Sequence, residues 1–283
     1  MADSPAGRID PLIDVHQLHT LCNTPDPPLL IGVLPAWRHA LHHIPGSRQV
    51  WRPQLTRADG ARLIETAGFE RWARSEGINA HSRVVVWDER YDAARLWWAF
   101  HHYGKADVQV LDGGLQAWRA AGLPLQRGRQ RRRPGEGTFV AKAGAGFPIA
   151  GRELVLAARQ RQDLQLWDTR DLPEWEGRRR LRGARRAGRI PWASHLSWRC
   201  FRRNNPHDQR FRSDAELQAL VLEQGLDRNK RQIFYCQSGV RTTTAILALY
   251  RLGWDPQQLV NDDRSWRHWS RDPELNRLRE ARG

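Results

Sequence analysis

Apolar residues along this chain fall into two kinds of stretch. Short unbroken runs, such as Val84-Val85-Val86-Trp87 and Ile233-Phe234-Tyr235, show no polar alternation, as expected of strands buried on both faces of a sheet. Longer stretches between them are rich in good helix formers and end at helix-stopping residues, as Ala245-Ile246-Leu247-Ala248-Leu249 runs on to Leu252-Gly253. The pattern predicts strands over Leu29 to Val33, Val84 to Trp87, Gln109 to Leu111, Leu164 to Trp167, Gln232 to Tyr235 and Gln258 to Val260. It predicts helices over Thr56 to Ser75, Asp92 to His102, Asp214 to Glu223 and Thr242 to Leu252. Strands that alternate with helices place the chain in the α/β class, with parallel sheets covered by helices on both faces.

The pattern also repeats. In the first half a strand ends at Trp87-Asp88, a helical stretch follows, and a second strand leads into Asp112-Gly113-Gly114-Leu115-Gln116-Ala117-Trp118; in the second half Tyr235-Cys236 and Asp263-Arg264-Ser265-Trp266 stand in the same order. Asp88 to Trp118 and Cys236 to Trp266 each span 30 positions. His43-Ile44-Pro45-Gly46-Ser47 likewise pairs with Arg189-Ile190-Pro191-Trp192-Ala193. A length of 283 residues suffices for two domains with real cores. The expected division is an N-terminal domain over residues 1–126, a linker over 127–147 rich in arginine and glycine, and a C-terminal domain over 148–283.

The candidate chemistry lies at Cys236, where a strand hands over to a helix. Peptide N–H groups at such a junction have no intrahelical acceptor, and the helix dipole adds positive potential behind them. A sulfur centred there is favoured as thiolate over a thiol of ordinary pKa about 8.5, and Arg241 adds a positive charge nearby. A lone cysteine is more often inert packing. Here Gln237-Ser238-Gly239 follows it, polar and flexible where a core cysteine would continue into apolar chain, so a nucleophile is the better reading.

These motifs resemble those of the rhodanese, or sulfurtransferase, family: Cys236-Gln237-Ser238-Gly239-Val240-Arg241, then Leu252-Gly253, then Asp263-Arg264-Ser265-Trp266, with Asp168-Thr169-Arg170 and Glu174-Trp175-Glu176-Gly177 upstream. The resemblance implies two tandem rhodanese-like domains. Asp88 stands where the second domain has Cys236, so the first is implied to be non-catalytic. It further implies Cys236 as the catalytic residue, Gln237, Ser238, Gly239, Val240, Arg241, Thr242 and Trp266 as substrate-binding, and Asp168 and Arg170 as structural neighbours, with no metal and no cofactor. The implied reaction moves the outer sulfur of thiosulfate to cyanide or a thiol through a Cys236 persulfide, with 3-mercaptopyruvate as the alternative donor. The Cys-Gln start and Arg241 resemble thiosulfate-type loops, whereas Ser238-Gly239-Val240 is similar to the mercaptopyruvate type. Trp192, Arg189 and Arg264 depart from the family pattern and bear on the shape of the pocket.

Two other classes stay open. A cysteine-dependent phosphatase also cradles an anion, but its loop places five residues between cysteine and arginine and this one has four. A non-catalytic sulfur carrier would accept sulfur on Cys236 and deliver it to one protein.

The net charge of +15 changes the picture little. Lysine occurs only at Lys105, Lys142 and Lys230, so nearly all of the 46 cationic residues are arginine, and no nucleic-acid motif accompanies them. A field that attracts small anions is the simpler consequence. The expected partners are therefore a small anionic sulfur donor and a thiophilic acceptor, with neither nucleic acid nor membrane, acting on a monomer. One cluster, Arg178 to Arg189, lies in an insertion of about ten residues near Glu176 to Gly188 that the first half lacks, and it is expected to border the active-site mouth. Fourteen tryptophans are expected mostly in cores. Three cysteines, Cys22, Cys200 and Cys236, make no disulfide framework, and neither a secretory signal nor a membrane-spanning run is evident, so a cytoplasmic location is expected.

Overall fold

The computed structural model describes residues 9–128, 135–203, 205 and 208–273. Two compact units divide the chain. The first holds the sequence up to Arg57, Leu63–Gly146 and Arg202–Arg212; the second holds Ala58–Arg62, Phe147–Phe201 and the sequence from Ser213 onward. Residues 129–134 of the expected linker lie outside the described residues.

Among the described residues nine strands form two sheets: β1 (Leu12–Ile13), β2 (Leu29–Val33), β3 (Arg48–Val50), β4 (Val84–Trp87) and β5 (Val108–Leu111) in the first unit, and β6 (Leu164–Asp168), β7 (Ser194–His195), β8 (Arg231–Tyr235) and β9 (Leu259–Asn261) in the second. The order is β1-β5-β4-β2-β3 in one sheet and β7-β6-β8-β9 in the other, and every pairing is parallel. A parallel bridge from Ile149 to Asn261 extends the second sheet where β1 extends the first. The two sheets therefore share one plan, flanked by helices. β4 and β8 are interior strands, which is why their side chains, Val84 to Trp87 and Ile233 to Tyr235, are buried to the last residue. Each contributes about 1.5–3 kcal/mol of burial.

Helices Asp92–His102 and Thr242–Arg251 follow β4 and β8. Both are buried almost all round, as befits the apolar composition that marked them in the sequence. Helix Asp214–Gln224 starts at a reciprocal cap between Ser213 and Glu216 and stops at Gly225, whose φ is +69°.

One predicted element is corrected. The helix expected from Thr56 begins only at Thr66 and ends at Ser75. Gly60 takes φ +72°, the Asp59 carboxylate accepts from the N–H groups of Ala61 and Arg62, and Thr56 bridges Leu63 in antiparallel fashion. This turn consumes the first ten residues of the apolar pattern. Strands β1, β3 and β7, of two or three residues each, are too short to leave a periodic signal.

The register also measures the insertion. Gly32 pairs with Gln49 across β2 and β3, while Asp168 pairs with His195 across β6 and β7. The second connection is ten residues longer, as the spacing of the proline turns implied.

Candidate active site

β8 ends at Tyr235 in the middle of its sheet, and the chain passes through Cys236 to Arg241 before helix Thr242–Arg251 begins. Gly239 turns the loop with φ +67°. A Cβ there would come within 2.8 Å of Asp263 Oδ1, so both conformation and space require glycine. The Asn261 side-chain amide donates to Gly239 O at 3.1 Å and fixes the turn from β9.

Ser265 clamps the base of the loop. Its hydroxyl accepts from the N–H of Cys236 and from that of Gly239, each at 3.0 Å, and donates to Asp262 O at 2.7 Å. Ser265 itself takes φ +53°, the positive value of a non-glycine residue among those described, a conformation that persists only where the surroundings impose it. Its N–H and that of Arg264 donate to Asp262 Oδ1. Burial pushes the Asp262 carboxyl up to about 6 against the pull of the Trp269 indole and those two N–H groups. Past Ser265, the N–H groups of Trp266 and Arg267 donate to the carbonyls of Cys236 and Gln237 at 2.9 and 3.0 Å.

With those bonds made, the other donors of the loop are spare. The N–H groups of Gln237, Ser238, Val240, Arg241 and Thr242 meet no protein acceptor among the described residues, and the buried Thr242 hydroxyl has none. Main-chain donors left over in this number, four of the five on buried residues, are uncommon in folded proteins. Main-chain donors left over at a strand-to-helix junction are an arrangement that suits an anion.

The charged residues around the loop are paired. Arg241 is 7% exposed and gives two hydrogen bonds to Glu174, at 2.6 and 3.0 Å, with Asp171 at 3.7 Å. Burial opposes its charge, but the Glu174 bonds and the nearby Cys236 sulfur outweigh it and hold its pKa above the ordinary value. It is thus a fixed charge in a carboxylate clamp rather than a spare arm. Asp168 and Arg170 form a buried bidentate pair, and Arg170 also donates to Gly188 O and lies over the rings of Tyr235 and Trp266. Trp266 is buried, with its indole donating to Arg186 O at 3.0 Å.

Those last contacts belong to the insertion, which lies directly on the loop. The Gln237 amide donates to Arg182 O at 3.2 Å, and the Arg185 N–H donates to Ser270 Oγ at 2.9 Å. Cys236 is 1% exposed. The residue expected to carry the reaction is thus buried.

The equivalent place in the first unit is filled. Asp88, following β4, accepts from the N–H groups of Ala93 at 2.5 Å and Arg90 at 3.1 Å. The helix starts four residues after Asp88 but six after Cys236. Leu115 N–H donates to Asp88 O at 2.8 Å as Trp266 does to Cys236 O, and Gly114, φ +56°, corresponds to Ser265. This register pairs Trp118 with Trp269 and corrects the equal-spacing match of Trp118 with Trp266.

Known proteins fit this geometry. Residues 14–121 and 152–272 each match the rhodanese-like domain. The chain belongs to the rhodanese-like family. A rhodanese-like protein of Mycobacterium tuberculosis, "Putative thiosulfate sulfurtransferase SseB", is 33% identical over 220 residues, 75% of this chain and 72% of that one. Mouse 3-mercaptopyruvate sulfurtransferase is 28% identical over 212 residues, 73% and 69% of the two chains. The crystal structure of Escherichia coli SseA, a 3-mercaptopyruvate sulfotransferase, superposes with a TM-score of 0.78 at 23% identity, over 91% of this chain and 99% of that one. The protein is accordingly an enzyme of the sulfurtransferase kind.

Among the described residues no group of His, Cys, Asp and Glu is placed to hold a metal ion, and no helix is long and apolar enough to cross a membrane. Cys236, Gln237, Ser238, Gly239, Val240, Arg241, Thr242 and Trp266 come together in one loop and its clamp, with Asp168 and Arg170 beneath. Sequence reasoning missed the roles of Ser265, Glu174 and Asp262. Ser265 and Glu174 stood inside quoted motifs, but nothing local marks a serine as a two-way acceptor or a glutamate as partner to an arginine 67 residues away.

Proposed function

We propose that this rhodanese-like enzyme is a thiosulfate sulfurtransferase working by double displacement at Cys236. The observation that carries the reading is the set of loop donors without protein acceptors around the sulfur. The Cys236 thiolate attacks the outer sulfur of thiosulfate; a new S–S bond forms, the old one breaks, and sulfite leaves with the bonding pair. The acceptor, cyanide or a thiol, then attacks the outer sulfur of the persulfide and expels the thiolate. Negative charge moves along one sulfur axis in both steps, and the N–H groups of Gln237, Ser238, Val240, Arg241 and Thr242 are suited to stabilise it without a separate general base. Arg241, clamped by Glu174, supplies a fixed field for the thiolate and does not follow the donor. The insertion, bonded to Gln237 and Trp266, flanks the loop that the donor must reach. The Asp168–Arg170 pair, packed on Tyr235 and Trp266, holds the floor of the site.

Four residues between cysteine and arginine favour a single added sulfur over a phosphoryl group. No disulfide joins Cys22, Cys200 and Cys236, which suits a reducing compartment such as the cytoplasm. The test is a comparison of cyanide-dependent rates with thiosulfate and with 3-mercaptopyruvate. Thiosulfate is expected to give the higher kcat/KM. A higher value for 3-mercaptopyruvate reverses the donor assignment, steady hydrolysis of an aryl phosphate with no sulfur transfer favours a phosphatase, and a single stoichiometric transfer without turnover favours a carrier.

A further inference from the structure

Arg267 follows Trp266, and its N–H donates to Gln237 O at 3.0 Å, which ties its backbone to the reactive loop. Its guanidinium passes between two glycines from distant parts of the chain. A Cβ on Gly60 would lie 2.7 Å from Nη2, and one on Gly183 would lie 2.9 Å from Cζ and Nη1. Both glycines take positive φ, +72° and +95°. Gly183 neighbours Arg182, whose carbonyl holds the Gln237 side chain. The guanidinium is thus slotted between two turns that omit a side chain to make room, one of them next to the residue that holds Gln237.

The slot places a cation without giving it a counter-ion. Among the described residues Arg267 has no hydrogen bond or ion pair through its guanidinium, whereas Arg170, Arg179, Arg199 and Arg241 in the same unit each meet a carboxylate. The nearest carboxylate-bearing turn, at Asp59, commits that group to Arg62 and His268. A half-buried arginine gains little from being held rigid with its donors unused.

We infer that Arg267 is a specificity-determining residue that binds the oxyanion end of the sulfur donor beside the Cys236 loop. The inference rests on the sulfur-transfer reading of Cys236 and adds to it the group that recognises the donor's charge. A planar fork of donors suits the sulfonate-like oxygens of thiosulfate, or those of departing sulfite.

Binding separates this role from chemistry. Thiosulfate affinity is measured by calorimetry at low salt on Cys236→Ser, which cannot take the sulfur, and on the same protein carrying Arg267→Gln or Arg267→Lys. Arg267→Gln is expected to weaken binding about tenfold, the scale of one charge-assisted contact, and Arg267→Lys to recover part of it. In the protein with Cys236 intact, Arg267→Gln is expected to raise the KM for thiosulfate by a similar factor, to leave kcat unchanged, and to leave the rate with an uncharged organic trisulfide unchanged. Equal thiosulfate affinity with and without Arg267, no measurable binding to Cys236→Ser, or an equal loss with the trisulfide overturns the inference. Failure of the Cys236 reading shows differently, as wild-type protein that binds thiosulfate and never turns it over.

Discussion

The loops after β4 and β8 hang from matching interior strands, are closed by the same backbone bond from the next motif, and lead into matching buried helices, yet they treat negative charge in opposite ways. The shorter loop carries its anion as a side chain: the Asp88 carboxylate takes the N–H groups of Arg90 and Ala93 and has buried Arg202 as a counter-charge. The longer loop has a cysteine at that position and two more residues before the helix, and five of its N–H groups keep no protein acceptor among the described residues. One scaffold is thus a sealed structural joint in one unit and a candidate reaction centre in the other. Loop length and one residue make the difference, because a carboxylate satisfies the donors permanently whereas a thiolate leaves room for an added sulfur.

Removing the sulfur breaks the contrast most sharply. Cys236→Ser is expected to lose all sulfur transfer and to keep its melting temperature within a few degrees, since a hydroxyl of similar size replaces the thiol; retained turnover contradicts the account.

Removing the built-in anion should do the reverse. Asp88→Ala is expected to cost about 3 kcal/mol in urea unfolding, because it deprives two N–H groups and buried Arg202 of their partner, with activity per folded molecule unchanged. Asp88 also has a pH signature. Burial raises its carboxyl to about 6 despite Arg202, above the unfolded value of about 3.9. The folded state therefore holds the proton more tightly, and the contribution is full below the unfolded value and lost as pH rises through about 6. Asp88→Asn should flatten that decline between the two values. An unchanged slope means the group titrates normally.

The clamp tests the second loop more gently. Ser265→Ala removes the acceptor for Cys236 and Gly239 while keeping a Cβ at φ +53°, and kcat/KM is expected to fall about tenfold. Ser265→Gly relieves the backbone and still lacks the oxygen, so it should be no more active; recovery there would assign the loss to strain.

The smallest effect is expected from the insertion's arginines. Arg178 pairs with Glu176 and Arg179 with Asp171 and Glu174, so much of their charge is already neutralised. Replacing Arg178, Arg179 and Arg180 with serine should lower kcat/KM for thiosulfate at low salt only about twofold to threefold, and not at all at high salt.

The sequence showed most clearly what is local and repeated. Strands β2 and β4 and helix Asp92–His102 are legible to the residue, because an unbroken apolar run between turn residues has few other uses. The place of Cys236 between a strand and a helix was legible because an apolar run precedes it and a polar, flexible triplet follows it. The helix expected from Thr56 failed because Gly60 and an Asp59 turn outweigh an apolar pattern that continues through them. The match of Trp118 with Trp266 failed because equal spacing hid two compensating changes, a longer loop after Cys236 and a different position of the tryptophan. The contacts of Arg182 with Gln237 and of Arg186 with Trp266, the Glu174 clamp on Arg241 and the slot around Arg267 join segments far apart in sequence. No periodicity records them.

The most direct measurement is the mass of the protein after brief treatment with thiosulfate and removal of excess donor. A gain of about 32 Da, one sulfur, located on the peptide that carries Cys236 and lost on adding cyanide, is the predicted result. An unchanged mass at saturating thiosulfate, or an adduct found only on Cys22 or Cys200, would contradict the account.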